Sequence, residues 1–397
     1  MGGAKGCGRG CERDHRRGGD HTEGEARGDH PRTGAVGRAA TGTGGMWHAV
    51  NLDRRIARRR SLDQRAATAR RPEREGGDAL KGESANRCAS QWRVVPVDVG
   101  LRVRAARKLV ERASPGDPLA GERFLAGATA SGIDVSRMWA SIDRFDEVRQ
   151  VCLAVVGAGR TAMVFVTTPM DSDDREELGA VVRAACDGIN DAILAQALLD
   201  VGSERMESSL VLGGFRRLTR LLYLKRPLAK KDATLWDGTW PDGVTVEPYG
   251  SAKSGDLERA LERTYLDTAD CPELCGMRTT SDVVASHRSI GKWDPSLWTI
   301  VRLRGSAEGA FLLNPCPEQG VVELVYLGLS PALRGDGLGS RLLSWGLGRL
   351  AERPERTIMC AVDERNMAAR RVYERMGFRE FDARCAMVRA IGASNRR

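Results

Sequence analysis

Two hydrophobic patterns alternate along the chain from Trp92 onward. Short apolar runs predict buried strands, and apolar residues that recur every three to four positions predict amphipathic helices. In the first half the predicted strands are 94–97, 151–156, 162–166, 193–199 and 218–224, and the predicted helices are 101–112, 173–186 and 203–212. Gly159 and Arg160 separate two of these strands and predict a hairpin turn. The segment 119–150 has only a weak pattern.

The same order of patterns returns after residue 242 with clearer signals. The predicted strands are 244–247, 298–303, 309–313, 321–329, 357–362 and 378–388, and the predicted helices are 256–265, 282–289, 334–350 and 366–376. Gly377 directly follows the last helix, which predicts a left-handed C-cap. We therefore expect a mixed α/β fold throughout.

A constant spacing relates the two halves. The number of residues from Asp200 to Asp363 equals the number from the dipeptide Gly214-Phe215 to the dipeptide Gly377-Phe378. A shared spacing together with a shared order of elements predicts a duplicated domain. The predicted boundaries are 91–226 for the first domain, 227–242 for a linker and 243–397 for the second domain.

The strand predicted at 321–329 leads into a glycine-rich turn. The turn consists of Arg334, Gly335, Asp336, Gly337, Leu338, Gly339 and Ser340, and a helical pattern follows it. Glycines tolerate positive φ and close backbone approach, so several N–H groups can point at one anion beside the helix N-terminus. We expect the anion to be a pyrophosphate. The corresponding place in the first half, residues 166–174, is acidic and lacks the glycines, so it would repel that anion.

The positive charge of the chain is concentrated near its N-terminus. Residues 1–90 hold 19 Lys/Arg and 12 Asp/Glu, which is +7 of the net charge of +9. This segment is rich in Gly and Arg and has no sustained hydrophobic period, which predicts a disordered leader. Its basic run at 54–60 is able to contact nucleic acid or an acidic surface, although nucleic acid is not our expected partner. The alternative is that part of the leader is not translated and that Met46 is the first residue.

Membrane insertion, secretion and metal binding have no support in the sequence. No run of about 18 apolar residues occurs, and no charged-then-apolar signal opens the chain. The ten cysteines are scattered without zinc-type spacing, which predicts reduced thiols and no metal. We expect a cytoplasmic protein that does not contact membranes.

Two motifs in the second half together resemble the GNAT superfamily of acetyltransferases. The family's glycine turn appears as Arg334-Gly335-Asp336-Gly337-Leu338-Gly339, and its later signature appears as Asn366, Ala369, Tyr373 and Gly377-Phe378. The resemblance covers residues 298–389 closely, and the repeat extends it to tandem GNAT-like domains, an architecture similar to that of mycothiol synthase-like proteins. It implies that each domain is a mixed, mostly antiparallel sheet flanked by helices. It implies transfer of an acetyl group from acetyl-CoA to a primary amine.

The resemblance also implies catalytic residues. Glu323 matches the general base, and its apolar neighbours would raise its pKa by desolvation. Tyr373 matches the general acid that protonates the leaving CoA thiolate. The alternatives are a solvated Glu at the start of a strand and a Tyr packed in the core.

Cofactor contacts follow from the same resemblance. Main-chain groups of Leu327, Gly328 and Leu329 would pair with the pantetheine amides, and an N–H there would polarise the thioester carbonyl. The glycine turn would hold the pyrophosphate. Asn366 would either bond the pantetheine arm or cap its helix.

The acceptor amine is left open by the sequence. Residues 265–276 lie where the family usually builds its acceptor wall and contain carboxylates and two thiols, Cys271 and Cys275. His287 is either a base or an ordinary histidine at the edge of the core. A non-catalytic acyl-CoA-binding protein and a mycothiol synthase-like acetylation of a small amino-thiol remain the alternatives to acetylation of an unidentified amine.

Overall fold

The computed structural model describes residues 92–392. The predicted leader, residues 1–90, lies outside this range. The strands are β1 Trp92–Pro96, β2 Met138–Asp143, β3 Val148–Gly157, β4 Thr161–Val166, β5 Leu194–Asp200, β6 Arg216–Pro227, β7 Val244–Pro248, β8 Trp298–Leu303, β9 Ser306–Cys316, β10 Val321–Leu329, β11 Thr357–Asp363 and β12 Arg379–Ala390. The helices are α1 Val99–Val110, α2 Ala120–Ala130, α3 Ser172–Asp187, α4 Glu204–Leu212, α5 Asp256–Tyr265, α6 Thr280–Arg288, α7 Leu338–Leu350 and α8 Met367–Arg375.

All twelve described strands form one continuous mixed sheet. Their order is β1-β2-β3-β4-β5-β12-β6-β11-β10-β9-β8-β7. Two neighbouring pairs are parallel, β4 with β5 and β10 with β11, and the other pairs are antiparallel. The predicted mixed α/β class with mostly antiparallel strands is confirmed.

The two halves exchange their last strands. Strand β12 ends the second half but pairs with β5 of the first half, whereas β6 ends the first half but pairs with β11 of the second half. The exchanged strands also pair with each other at the centre of the sheet. Each half is therefore completed by a strand from the other half.

The repeat spacing seen in the sequence holds for three successive elements. Elements β11, α8 and β12 begin and end the same number of residues after β5, α4 and β6, respectively. This interval equals the one that separates Asp200 from Asp363. The strand registers repeat as well, because Arg384 faces Asp200 in one exchanged pair and Leu221 faces Asp363 in the other. The structure thus extends the sequence repeat to backbone pairing, while the three domain boundaries remain a prediction.

Two hydrophobic clusters support the two halves of the sheet. One packs Leu342, Leu343 and Leu347 of α7 against strands that include β10 and β11. The other packs Leu178, Val181 and other apolar residues of α3 against β3, β4 and β5. Each cluster fixes the helix that follows the fourth strand of its half, which sets the position of the turn between that strand and that helix.

The weakly patterned segment 119–150 contains elements that we did not predict. Helix α2 has the sequence AGERFLAGATA, in which small residues replace most of the large apolar ones that mark a helical face. Strand β2 is short, and it is fixed by pairing with both β1 and β3. Tertiary contacts decided the secondary structure here, because the local hydrophobic signal was weak.

The predicted linker contains ordered structure. A 3-10 helix spans Lys230–Thr234, and Arg226 forms an ion pair with the buried Asp232 at 2.6 Å. Trp240 contacts Trp345 of α7, with 5.9 Å between ring centroids. The segment is therefore packed against the second half. In the part of the chain that the structure describes, no helix has the length and apolar character needed to cross a membrane.

Candidate active site

Strands β10 and β11 separate within the second half. They pair in parallel only at Val321 with Thr357, Val322 with Ile358 and Glu323 with Met359. Strand β10 nevertheless continues to Leu329 and β11 continues to Asp363. The edge of β10 that faces β11 is therefore left without a strand partner after Glu323. Such an edge offers N–H and C=O groups to an extended ligand.

An irregularity in β10 adjoins this opening. Its pairing with β9 shifts between Leu324 and Tyr326, so Val325 is an extra residue in β10. A β-bulge of this kind bends a strand and re-aims its side chains. The sequence-predicted main-chain groups of Leu327, Gly328 and Leu329 follow the bulge, on the part of β10 that has left β11.

The glycine-rich turn continues from this strand. Gly335 and Gly337 have φ of 106° and 73°, values that residues other than glycine rarely adopt. A Cβ atom added at either position would meet no heavy atom within 4 Å, so the space beside both is open. Helix α7 begins at Leu338 with Gly337 as its N-cap. The N–H groups of Ser340 and Arg341 donate to the Gly337 carbonyl, so the N–H groups of Leu338 and Gly339 are the ones that have no acceptor in the helix. The turn fits an anion such as a pyrophosphate.

The side chain of Arg334 is bonded to the protein rather than free to be a direct anion ligand. Its guanidinium donates hydrogen bonds to three carbonyl oxygens, those of Leu329, Thr264 and Asp267, each at 2.9 Å. Thr264 and Asp267 lie at and just after the C-terminus of α5, where a cation is favourable to the helix dipole. Arg334 therefore holds the turn against α5, and this contact was not visible in the sequence.

In the equivalent turn of the first half, between β4 and α3, carboxylates of the turn itself accept the backbone N–H groups. Asp171 caps α3 by accepting the N–H of Asp174 at 2.9 Å. The Asp174 carboxylate in turn accepts the N–H of Met170 at 2.9 Å. Strands β4 and β5 also separate after three pairs, so the first half keeps the opening but places acidic groups at its anion position. The sequence prediction that the acidic turn disfavours an anion agrees with this geometry.

Glu323 lies where β10 and β11 separate. It is buried, with 7% of its surface exposed, and it is part of the wall of a cavity. Its charge helps to raise the pKa of the Cys360 thiol on β11, an effect that is dominated by burial of the thiol. Of the two alternatives, a solvated Glu at the start of a strand is wrong, because the side chain is enclosed.

Tyr373 lies on α8 and is also close to Cys360. It is 5% exposed and its ring contacts Phe378, with 5.4 Å between the centroids. Burial raises the pKa of the phenol well above its ordinary value, and Cys360, Asp270 and Tyr326 add to this shift. The phenol therefore keeps its proton at neutral pH, as a general acid must. The packed position and the catalytic role are compatible, because the same ring can do both.

Asn366 is a helix cap. Its side-chain oxygen accepts the N–H of Ala369 at 3.1 Å, at the first turn of α8. It also forms a side-chain hydrogen bond to Asp270, whose pKa is raised by burial. The capping alternative is therefore realised. A contact of Asn366 with a pantetheine arm remains a prediction.

An ion-pair cluster attaches the segment 265–276 to the end of β11. The buried Asp363 accepts the N–H of Cys271 at 3.2 Å, and its own N–H donates to Asp270 at 3.1 Å. Arg365 bridges Asp363 and Glu273 with bonds of 2.7 Å to each. Burial alone would raise the pKa of Asp363, but hydrogen bonds from Arg365 and Thr219 outweigh it and lower the pKa. The segment is thereby held over the opening between the strands.

A cavity of about 290 Å³ lies beneath this segment. The second half contributes Glu323, Tyr326, Asp270, Arg278 and His287, together with parts of β10 and α6. The first half contributes the faces of β3, β4 and β5, and the exchanged strand β12 adds apolar residues. The first half thus forms one wall of the cavity. This role could not be seen in the sequence, since it depends on how the two halves pack.

His287 and Tyr326 are neighbours in the cavity wall. Their rings are 5.6 Å apart, and the Tyr326 hydroxyl forms a hydrogen bond of 2.6 Å with the hydroxyl of Thr264. Burial, with a smaller contribution from Arg278, lowers the pKa of His287 to about 3. The imidazole is therefore neutral at pH 7, and so low a pKa makes it a weaker base than a carboxylate.

Comparison with known proteins agrees with this geometry. Residues 262–378 match the acetyltransferase (GNAT) family model, and this range includes Glu323, the glycine turn and Tyr373. Residues 262–378 therefore resemble a GNAT-type acetyltransferase domain.

Relatives and solved structures extend the comparison. The mycothiol acetyltransferase of Thermomonospora curvata is 32% identical over 169 residues, which are 42% of this chain and 54% of that protein. The chain thus spans about half the length of the curated relatives it matches. A GCN5-related N-acetyltransferase from Sphaerobacter thermophilus has 17% identity and a TM-score of 0.45, covering 76% of this chain and 96% of that one. A tandem GNAT protein from the clavulanic acid biosynthesis pathway has 15% identity and a TM-score of 0.44, covering 77% and 100%.

The structure brings only some of the predicted residues to the cavity: Glu323 lines it, whereas Tyr373, Asn366 and the glycine turn are not among its lining residues. Glu323 and Tyr373 both lie near Cys360, and the main-chain groups of 327–329 lead into the glycine turn. Sequence reasoning missed Tyr326 and Arg278, which lie on the cavity wall. It also gave Cys271 and Cys275 no role, and both are free thiols in the structure.

Proposed function

We propose that this protein transfers an acetyl group from acetyl-CoA to a primary amine held in the cavity between its two halves. The observation that carries the proposal is the placement of the buried Glu323 where β10 and β11 separate, at the wall of that cavity. The open glycine turn at Gly335 and Gly337 follows the other end of the same strand. One continuous stretch of chain thus adjoins both the cavity and a place for a nucleotide-type anion.

Acetyl-CoA fits the residues present. The N–H groups of the turn and of the first turn of α7 would bind its pyrophosphate, and the unpaired edge of β10 at 327–329 would bind its pantetheine amides. An N–H on that edge would polarise the thioester carbonyl. The cosubstrate supplies the activated acetyl group. Because these contacts are main-chain ones, they depend on the strand separation and the turn more than on side-chain identity.

Glu323 is the proposed general base. An alkylamine whose conjugate acid has a pKa of ~10.4 is mostly protonated at neutral pH. It cannot attack the thioester until it loses a proton. Glu323 accepts that proton, directly or through water, and the buried setting keeps bulk solvent from competing. A new C–N bond then forms as the C–S bond breaks.

Tyr373 is the proposed general acid. Its raised pKa keeps the phenol protonated until the leaving thiolate needs the proton. Donation to that sulfur releases CoA as the thiol and leaves a phenolate. The attacking nitrogen loses a second proton as the amide forms, and that proton returns the Tyr373 phenolate to the phenol. Glu323 releases the first proton to solvent, so the products are the amide, CoA thiol and one proton.

A mycothiol-related amine is the second candidate acceptor. It is favoured by the mycothiol acetyltransferase relatives at 32% identity, although the chain spans only about half their length. A reaction of that kind would use the same Glu323 and Tyr373. It differs only in the molecule that fills the cavity.

A screen for thiol release tests the proposal. Purified protein is incubated with acetyl-CoA and a panel of amines, and free CoA thiol is measured along with acetyl-CoA binding by calorimetry. We expect saturable binding and thiol release that depends on at least one amine. Failure to bind acetyl-CoA would refute the proposal. Binding without turnover across the panel would favour a non-catalytic acyl-CoA-binding protein instead.

A further inference from the structure

Arg278 is a cation in the wall of the cavity with only neutral partners. It lies between the ordered segment 265–276 and α6, and it lines the cavity. One nitrogen, Nη1, donates to the hydroxyls of Ser286 at 2.7 Å and Thr161 at 3.0 Å, and to the carbonyl of Gly159 at 3.5 Å. Its guanidinium is therefore anchored at one end.

The anchor joins the two halves of the protein. Gly159 lies in the β3–β4 turn with φ of 71°, and a Cβ there would be 2.1 Å from the carbonyl oxygen of Asp282 on α6. Ser286, also on α6, donates to the carbonyl of Ala158 at 3.1 Å. The turn is thus packed directly on α6. Arg278 is held at this contact, so the orientation of its guanidinium is fixed before any ligand binds.

The rest of the guanidinium is left for a ligand. Within residues 92–392, Arg278 forms no ion pair, and its Nε and Nη2 groups donate no hydrogen bond to protein atoms. Burial lowers the pKa of Arg278, and the only opposing influences are Tyr265 and Asp282. A partly buried cation without a carboxylate partner is unfavourable unless something else supplies the negative charge. The Nε and Nη2 donors form the edge of the guanidinium that matches a carboxylate.

The charges around the cavity indicate which anion fits. Arg278 is the one cationic side chain among the described residues that line it, whereas Glu323 and Asp270 are carboxylates on the same wall. A doubly charged phosphate would add to an already acidic lining. A single carboxylate balances Arg278 and leaves Glu323 and Asp270 to attract an ammonium group. The lining is therefore complementary to a molecule with one carboxylate and one amine.

We propose that the acceptor is an amine that carries a carboxylate, and that Arg278 binds this carboxylate through Nε and Nη2. The inference rests on the proposed acetyl transfer and narrows its substrate class. Arg278 is a specificity-determining residue and does not take part in proton transfer. Its neighbours Thr161 and Gly159 give the first half a part in selecting the acceptor.

Matched acceptors test the inference. The panel contains amino acids, the corresponding carboxamides and the corresponding amines without the carboxyl group, with thiol release as the readout. We expect kcat/KM for the carboxylates to exceed that for the carboxamides by about tenfold or more, the size expected for a charge-assisted bidentate contact. In Arg278→Gln this ratio falls toward one, mainly through KM of the carboxylate, while the dissociation constant of acetyl-CoA does not change. Arg107→Gln, an exposed change on α1, serves as the control.

Three results separate the inference from the proposed function. Turnover of carboxamides as fast as carboxylates by the wild-type protein would refute the inference and leave the acetyl transfer standing. No acetyl-CoA binding or turnover would refute the function itself. If Arg278→Gln fails to fold, Arg278→Lys replaces it, because lysine keeps the positive charge but lacks the paired Nε and Nη2 donors. An unchanged preference of Arg278→Lys for carboxylates would also refute the inference.

Discussion

Leu221 and Arg384 face each other where β6 and β12 pair, and they are equivalent positions of the two halves, separated by the repeat spacing. The pair therefore marks the approximate twofold relation between the halves. Each of these residues also faces the end of a strand from the opposite half, Leu221 against Asp363 and Arg384 against Asp200. The exchange couples the strand that carries Asp363, beside the candidate site, to a strand of the first half.

Removal of β6 should destabilise the second half. A fragment 228–397 leaves β12 without its two strand neighbours and one edge of β11 unpaired, whereas 214–397 keeps β6 between β11 and β12 and opens only the edge of β12 that faces β5. Unpaired edges promote aggregation. We expect the longer fragment to melt cooperatively by circular dichroism and to be monomeric by size exclusion, and the shorter one to aggregate. Equal behaviour of the two fragments would show that the exchanged strand is dispensable.

Glu323→Gln should lower kcat by about 100-fold at pH 7, within the usual range for loss of a general base. The deficit should shrink toward pH 9 and above, because more of the acceptor amine is then already neutral. The measurement is the pH dependence of thiol release at saturating acetyl-CoA. The exposed Glu318→Gln is the matched control. A parallel pH profile for Glu323→Gln and the wild type would remove Glu323 from this role.

Tyr373→Phe should lower kcat by about 100-fold while the affinity for acetyl-CoA stays unchanged. The phenylalanine keeps the contact with Phe378, so the melting temperature should stay close to that of the wild type. Because burial raises the pKa of Tyr373, the wild-type profile should show no loss of activity from its deprotonation below about pH 10. Tyr249→Phe, on a tyrosine that packs against Trp293 and Trp298 and has no proposed role in proton transfer, should have little effect on kcat.

Gly337→Ala should weaken acetyl-CoA binding by about tenfold or more, because its Cβ would enter the open space beside the turn and displace the anion from a charge-assisted hydrogen bond, which contributes roughly 1.5–3 kcal/mol. The left-handed conformation also costs an alanine about 1–2 kcal/mol. Gly305→Ala controls for that strain, because Gly305 has φ of 87° and open space beside it but lies in the β8–β9 turn. Calorimetry should show lost affinity in the first variant only. Equal affinity in both variants would contradict the pyrophosphate site.

Asp256→Asn should destabilise the protein at pH 7 but not at very low pH. Hydrogen bonds from Arg302 and Arg259 lower the pKa of Asp256 to about 2. Because the pKa of Asp256 is lower in the folded protein than in the unfolded chain, the ionised carboxylate stabilises the folded protein at pH values above the unfolded-state pKa of ~3.9. This stabilisation is lost as the pH falls through about 2. Urea unfolding at pH 7, 4 and 2 should show a difference that closes over this range. The exposed Asp242→Asn should show no such convergence.

Much of the fold and part of the site could be predicted from local sequence. The strands and helices around β5, α4 and β6 and around β11, α8 and β12 follow from hydrophobic period and turn residues, and Gly377 has the predicted positive φ, at 84°. The glycine turn was visible because it needs consecutive residues only. Helix α2 and strand β2 were missed because their patterns are weak and their neighbours decide them.

The sequence by itself determined which segments form most of the strands and helices and the glycine turn, because these depend on residues a few positions apart. The tertiary structure decided the exchange of β6 and β12, the separation of β10 from β11 and the partners of Arg334. It also brought Arg278 to Thr161, 117 residues earlier in the chain. Contacts of that range depend on which strands become neighbours in the shared sheet, and a single sequence carries no local signal for that choice.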